Sequence, residues 1–503
     1  MRWSRLRRYL AATAALLLAA AGLGAVALAG AAPAGAVPAS AATGCSVSYS
    51  VSSQWNTGFT AAITVTNLGS PLSFWTLGYS YAGNQQLTQG WSGAWSQSGS
   101  SVTVASASWN GSLATNGSTQ IGANFSYSGT NTSPTAFTLN GVACTGQTTG
   151  GGGSGGGTGG SPGPAPQLHV SGNKLLNSAG QAVILRGVDR SGTEYACVQG
   201  NGIFDGEVDQ AAVSAMKSWG INAVRVPLNE ACWNGESYVN AADAGTDYIN
   251  AIRSWVSLLN ANGLVAILDL HWTDGAYTGP SAGCSSAQAT CQKPMPDAAQ
   301  AIPFWRSVAA TFKGNDAVIF DLFNEPYASR ADNNDSAEGW QCWETGSPCT
   351  GISYPVAGMQ QMINAVRGAG ADNVIMLGGE EYANDLTGWL QYEPTDPDHN
   401  LAASWHSYNF NACSTQSCWT GQIAPVIAQV PVIAGEIGEN DCAGGYINPL
   451  TTWLDSQNTS YLAWAWNADF DCPSGPGLIT DYVPGDPTAY GAAYQAHLAS
   501  LGL

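Results

Sequence analysis

Charge is the first thing this 503-residue chain lacks. No charged residue lies between Arg8 and Lys174, and all 34 acidic residues follow Lys174. Only 15 lysines and arginines occur in total, four of them in the first eight residues. A basic nucleic-acid footprint is therefore excluded. The formal net charge of −19 disfavours a polyanionic substrate and suits a neutral one. Histidine is scarce, with five in the chain, and no His/Cys spacing fits a zinc site. Long apolar runs are also missing, with one exception near the start.

That exception runs from Tyr9 to about Ala29 and follows Arg2, Arg5, Arg7 and Arg8. The small residues Ala39-Ser40-Ala41 then offer a cleavage site. Residues 1–41 read as a secretory signal peptide, with an uncleaved anchor as the rival. Secretion, no membrane contact after cleavage and a monomer are expected. Export also makes disulfides the default state of the 12 cysteines.

Residues 42–144 are rich in Thr, Ser, Gly, Val and Trp. Alternating runs such as Phe59–Thr66 and Ser101–Val104, separated by Gly/Asn/Ser turns, predict a small all-β sandwich. Cys45 and Cys144 stand at its ends, placed to join. Residues 145–167, with Gly150–Gly157 at their centre, predict a flexible tether spanning roughly 25 Å.

Residues 168–503 alternate short apolar runs with amphipathic stretches. The runs are Val183–Val188, Ala223–Pro227, Val265–Leu270, Val318–Phe323, Val374–Gly379, Ala402–His406, Val432–Glu436 and Tyr461–Trp466. Near-continuous apolar runs suit parallel strands buried on both faces. Eight β/α units predict an α/β fold, a (β/α)8 TIM barrel. A doubly wound open sheet is the competitor, but no Gly-rich phosphate loop follows the first run.

In a barrel, chemistry collects where strands end. Those ends carry Arg225, His271, Asn324-Glu325-Pro326, Glu380-Glu381, His406-Ser-Tyr408, Glu436 and Trp466. Carboxylates, histidines and aromatics thus converge on one mouth. Two carboxyls flanking a glycosidic bond are what glycoside cleavage requires.

On these residues, with Arg225-Val-Pro, Asp269-Leu-His271 and Gly435-Glu-Ile-Gly438, the region resembles glycoside hydrolase family 5. The resemblance implies Glu325 as general acid/base and Glu436 as nucleophile of a retaining reaction. It implies Asn324 for the sugar 2-OH, and Arg225 and Tyr408 to hold the nucleophile ionised and oriented. His271 and His406 fall near the cleavage subsite, and Trp466 is the sugar platform. Glu380 and Glu381 depart from the pattern; they could bind sugar hydroxyls or pair with surface groups, and the surface reading is preferred. No cofactor or metal is expected.

The uncharged zone resembles a family-2 carbohydrate-binding module through Gln54–Phe59, Phe74–Leu77, Gly90-Trp91, Trp109–Gly111 and Thr138–Gly141. The resemblance implies a cellulose-binding face of Trp55, Trp91 and Trp109, with Trp75 in the core and Trp95 unassigned. The expected partner is cellulose or another β-linked plant polysaccharide. The expected activity is endo-β-1,4-glucanase, with mannanase, xyloglucanase and a non-catalytic carbohydrate-binding protein as alternatives. Ten cysteines lie in loops beyond strand ends; the close pairs 284/291, 342/349 and 413/418 leave 197/232 and 442/472 as bridges between loops.

Overall fold

The computed structural model describes residues 45–148 and 164–502, apart from residues 56, 70, 108, 116, 130, 135, 136, 141 and 471–474. The expected leader and the glycine-rich centre of the tether lie outside the described residues. Among the described residues, no helix is long and apolar enough to cross a membrane.

The N-terminal unit holds two five-stranded sheets. One contains Cys45–Trp55, Gly58–Asn67, Gln86–Trp91 and Ser118–Ser126. The other contains Thr76–Ser80, Ala94–Ser98, Ser101–Ala105 and Phe137–Leu139. Period-two alternation sends Phe59, Ala61, Ile63 and Val65 inward, where they meet Trp75, Leu77, Val104 and Phe125. Cys45–Cys144 is bonded as expected. The stretch expected as tether begins with strand Thr145–Thr148, which pairs in parallel with Ser46–Tyr49. At its other end Ala165 donates its N–H to the Asn260 carbonyl.

The second unit is a closed barrel of eight parallel strands. They are β1 (Arg186–Asp189), β2 (Ala223–Asn229), β3 (Val265–Trp272), β4 (Val318–Asp321), β5 (Ile375–Gly378), β6 (Leu401–Tyr408), β7 (Val432–Gly438) and β8 (Ser460–Ala463). Each coincides with one of the eight apolar runs. Every residue of β2, β6 and β7 is buried, because helices cover one face and the barrel interior the other. Inside, Ala223, Val265, Ile267, Ile319, Met376, Ile433 and Leu462 form a lower core. A hairpin of Leu168–Ser171 and Lys174–Asn177 joins that core through Leu168 and Leu175. Bonds 197–232, 284–291, 342–349 and 413–418 match the expected pairs. Cys442 is also disulfide-bonded, and its expected partner Cys472 lies outside the described residues.

Candidate active site

The upper barrel is polar, and Arg225 stands at its centre. From β2 its guanidinium reaches Asp189 at 3.0 Å, Asp269 at 3.1 Å, Asp321 at 3.0 Å and Glu436 at 2.7 Å. It also donates to Asn324 Oδ1 at 2.9 Å. Burial alone would lower its pKa; the surrounding carboxylates overcome this and raise it well above the usual range. Burial raises Asp189 and Asp321 well above theirs, and Asp269 to about 7. Asp189, Asp269 and Asp321 each keep one buried oxygen without a partner, so Arg225 is their principal compensation.

Glu436, at the end of β7, accepts from Arg225 and, at 2.6 Å, from the Tyr408 hydroxyl. Glu325 follows β4 and is 22% exposed at its side chain. Burial first, then the charge of Glu436, pushes its pKa well above the ordinary range. His406 lies between the two, its Nδ1 3.1 Å from Glu325 Oε1 and 3.6 Å from Glu436 Oε2. One ligand atom from each of these three residues lies within 4.8 Å of the others, close enough to hold a metal ion. The environment instead fits acid/base chemistry, since one carboxyl keeps its proton while the other is gripped by two donors.

Burial lowers His406 well below its usual pKa and His271 to about 3, so both rings are neutral. His271 Nδ1–H therefore donates to Asp269 at 2.6 Å, and Nε2 faces the Asn324 amide at 3.4 Å. Thus Arg225, His271, Asn324, Glu325, His406, Tyr408 and Glu436 meet in one mouth.

Trp466 does not join them. It is fully buried, edge-on to Trp219 at 4.9 Å, and presents no face to a sugar. Half-buried Trp464 stacks on His271 at 5.4 Å and 16°, with Phe470 beyond it. Strand β8 ends at Ala463, so the alternation that would place residues 464 and 466 on one face does not continue. Glu380 is a second correction. It is buried and accepts from the backbone and hydroxyl of Ser329. Glu381 pairs with Arg330 at 2.7 Å near the surface, as expected. Asp189 and Asp321 belong to no strand-end motif; their only signal in the sequence is an acid beside or within a buried apolar run, which demands a partner.

Glu194, Asp269 and Glu380 are buried carboxyls raised to about 8, 7 and 7, in each case mainly by burial. A folded state that binds protons more tightly than the unfolded chain loses stability as pH rises. Their contribution is full below about pH 4 and is lost through about pH 8. Calorimetry at pH 4, 6 and 8 should show the barrel's melting temperature falling; a rise across that window would contradict this assignment.

In the sandwich, Trp55, Trp91 and Trp109 are 47%, 40% and 72% exposed, whereas Trp75 is fully buried. The ring of Trp55 lies over Gly58 and that of Trp91 over Gly122; a Cβ at either glycine would sit 2.5 Å from ring carbon. Each ring thus lies flat against its strand with its other face outward. Trp95 instead packs over Gly90 and donates to the Trp91 carbonyl, so it supports the face.

Comparison with known proteins agrees with this two-unit architecture. The profile of the cellulase family, glycosyl hydrolase family 5, matches residues 176–470, and that of a cellulose binding domain matches residues 45–144. Endoglucanase CelA of Streptomyces lividans is 29% identical over 92% of this chain and 93% of its own. Exoglucanase A of Cellulomonas fimi is 54% identical over 103 residues, 20% of this chain and 12% of its own. A β-glucanase structure from Saccharophagus degradans shares the barrel fold, with a TM-score of 0.52 at 18% identity, covering 68% of this chain and 96% of that one. Sheets, barrel and polar mouth thus lead to one assignment: the chain belongs to glycosyl hydrolase family 5 and carries a cellulose binding domain ahead of its catalytic barrel.

Proposed function

We propose that this chain is a secreted endo-β-1,4-glucanase that cleaves cellulose or a related β-glucan with retention of configuration. The observation that carries the reading is the pairing of Glu325 and Glu436 across His406 in opposite environments. Their close approach suits a retaining enzyme, whose carboxyl groups stand about 5–5.5 Å apart.

In the first step Glu325 gives its proton to the glycosidic oxygen while Glu436 attacks the anomeric carbon. The C–O bond breaks, the leaving chain departs as an alcohol, and the sugar remains as an ester of Glu436. Glu325, now a carboxylate, takes a proton from water, which attacks the same carbon and releases Glu436. Arg225 and Tyr408 receive the charge that returns to Glu436. Asn324 holds the sugar 2-OH, and half-buried Trp464, rather than buried Trp466, stands beside the cleavage site.

The flat tryptophan face supports a glucan as target, since it suits a planar polymer surface. Replacing Trp55, Trp91 or Trp109 by alanine should weaken retention on cellulose by about tenfold or more each. Gly58→Val and Gly122→Val should weaken it too, by lifting the rings they underlie; pull-down on microcrystalline cellulose reads both. Substrate preference is tested by reducing-sugar release from carboxymethylcellulose, β-glucan, xyloglucan and galactomannan. Preference for glucan is expected. Preference for galactomannan would replace the glucanase reading with a mannanase that uses the same residues.

A further inference from the structure

The loop after β3 carries a disulfide, Cys284–Cys291, and the next residue enters the active site. Half-buried Gln292 donates through Nε2 to the Glu325 carbonyl at 2.9 Å. Its Oε1 accepts from the Asn324 amide at 3.2 Å. The two segments also run together, Tyr327 donating its N–H to the Pro294 carbonyl at 3.0 Å. On the other side, Lys293 is 1% exposed; its ammonium donates to the Ser286 carbonyl and lies 3.4 Å from Cys291 Sγ. Gln292 is thus braced from behind by a closed seven-residue interval and a buried lysine.

We propose that Gln292 is a positioning residue for glycoside cleavage, and that the Cys284–Cys291 bond acts on catalysis through it. This rests on the roles proposed above for Asn324 and Glu325. Asn324 Oδ1 is occupied by Arg225 and one amide proton by Gln292; the other faces His271 Nε2 at 3.4 Å, a long contact that a sugar hydroxyl can replace. Hydrogen bonds to the 2-OH strengthen in the transition state, so an error in the amide's orientation appears in turnover rather than binding. The bond to the Glu325 carbonyl fixes the backbone that carries the acid. A displacement of about 1 Å there is costly to rate.

Gln292→Ala should lower kcat by about 10–100-fold with KM changed less than about threefold, at unchanged melting temperature and cellulose retention. Gln292→Glu keeps the acceptor for Asn324 and adds a negative charge beside Glu325. It should recover part of kcat and move the alkaline limb of the kcat/KM profile to higher pH, which a merely structural residue would not do. Cys284→Ser/Cys291→Ser should lower kcat comparably, and adding Gln292→Ala to it should cost little more. Wild-type kcat in Gln292→Ala, an effect confined to KM, an unmoved pH profile, or full additivity in the triple variant each overturn the proposal. Glu325→Gln separates the two readings: full activity there removes the catalytic assignment, whereas its inactivity beside a fully active Gln292→Ala removes only the role of Gln292.

Discussion

Glu436→Ala should lower β-glucan hydrolysis by about 10⁴-fold or more, because it removes the group proposed to form the bond to the anomeric carbon. Glu325→Ala should behave differently. Loss of a general acid costs about 10²–10⁴-fold, and least where the leaving group needs no proton. An aryl β-cellobioside with an acidic phenol should therefore still react with Glu436 in the Glu325 variant. Azide then distinguishes the residues chemically. With Glu325→Ala it should intercept the glycosyl ester and give the β-glycosyl azide. With Glu436→Ala it should occupy the emptied space, displace the phenol directly and give the α-glycosyl azide. Proton NMR of the product reads the anomer. The opposite anomers would exchange the two roles, and activity retained in Glu436→Ala would remove it from the mechanism.

The second large effect belongs to Arg225. Four carboxylates and one amide share its guanidinium, and its side chain has no exposure to solvent. Arg225→Met leaves those carboxylates without a counter-charge. Breaking such a buried pair costs about 3–5 kcal/mol. The nucleophile also loses its strongest donor, for a fall in kcat of about 10²–10³-fold. Arg225→Lys restores charge but not the planar fork, so one ammonium cannot serve five acceptors on four strands and should rescue stability better than turnover. The loss should also depend on pH. Without the cation, Asp189, Asp269 and Asp321 bind their protons still more tightly, so the variant should regain stability as the solution is made acid. Urea unfolding at pH 5 and pH 8 measures this; an equal loss at both would show that the carboxylates do not respond to Arg225 as a group.

Much of the fold was legible because its signals are local. Eight apolar runs separated by amphipathic stretches bury both strand faces in a closed barrel or between two helix layers, and the missing Gly-rich loop pointed to the barrel. Alternation from Phe59 to Val65 could form only a half-buried strand. The site residues were legible for a related reason: a strand's end is a position in the sequence, and in a barrel every such end opens on the same mouth. Asn324-Glu325, His406-Ser-Tyr408 and Glu436 needed no tertiary detail to be placed together.

Side-chain direction beyond the strand ends was not legible. Trp464 and Trp466 are two positions apart, and no local pattern says which leaves the barrel and which enters the packing beneath Gly485. Glu380 and Glu381 are adjacent and chemically alike, and both accept from the Ser329 hydroxyl, yet the Ser329 N–H holds Glu380 inside while Arg330 holds Glu381 near the surface. Gln292 is an unremarkable amide until the loop that bears it folds against Asn324.

Composition, periodicity and strand-end chemistry by themselves determined the sandwich, the barrel and the gathering of polar strand ends in one mouth, because short-range preferences and burial patterns are written residue by residue. Only the tertiary structure decided which tryptophan is buried, which acid is buried and how Arg225 is shared. Those outcomes depend on contacts between residues tens to hundreds of positions apart, and no local preference encodes them.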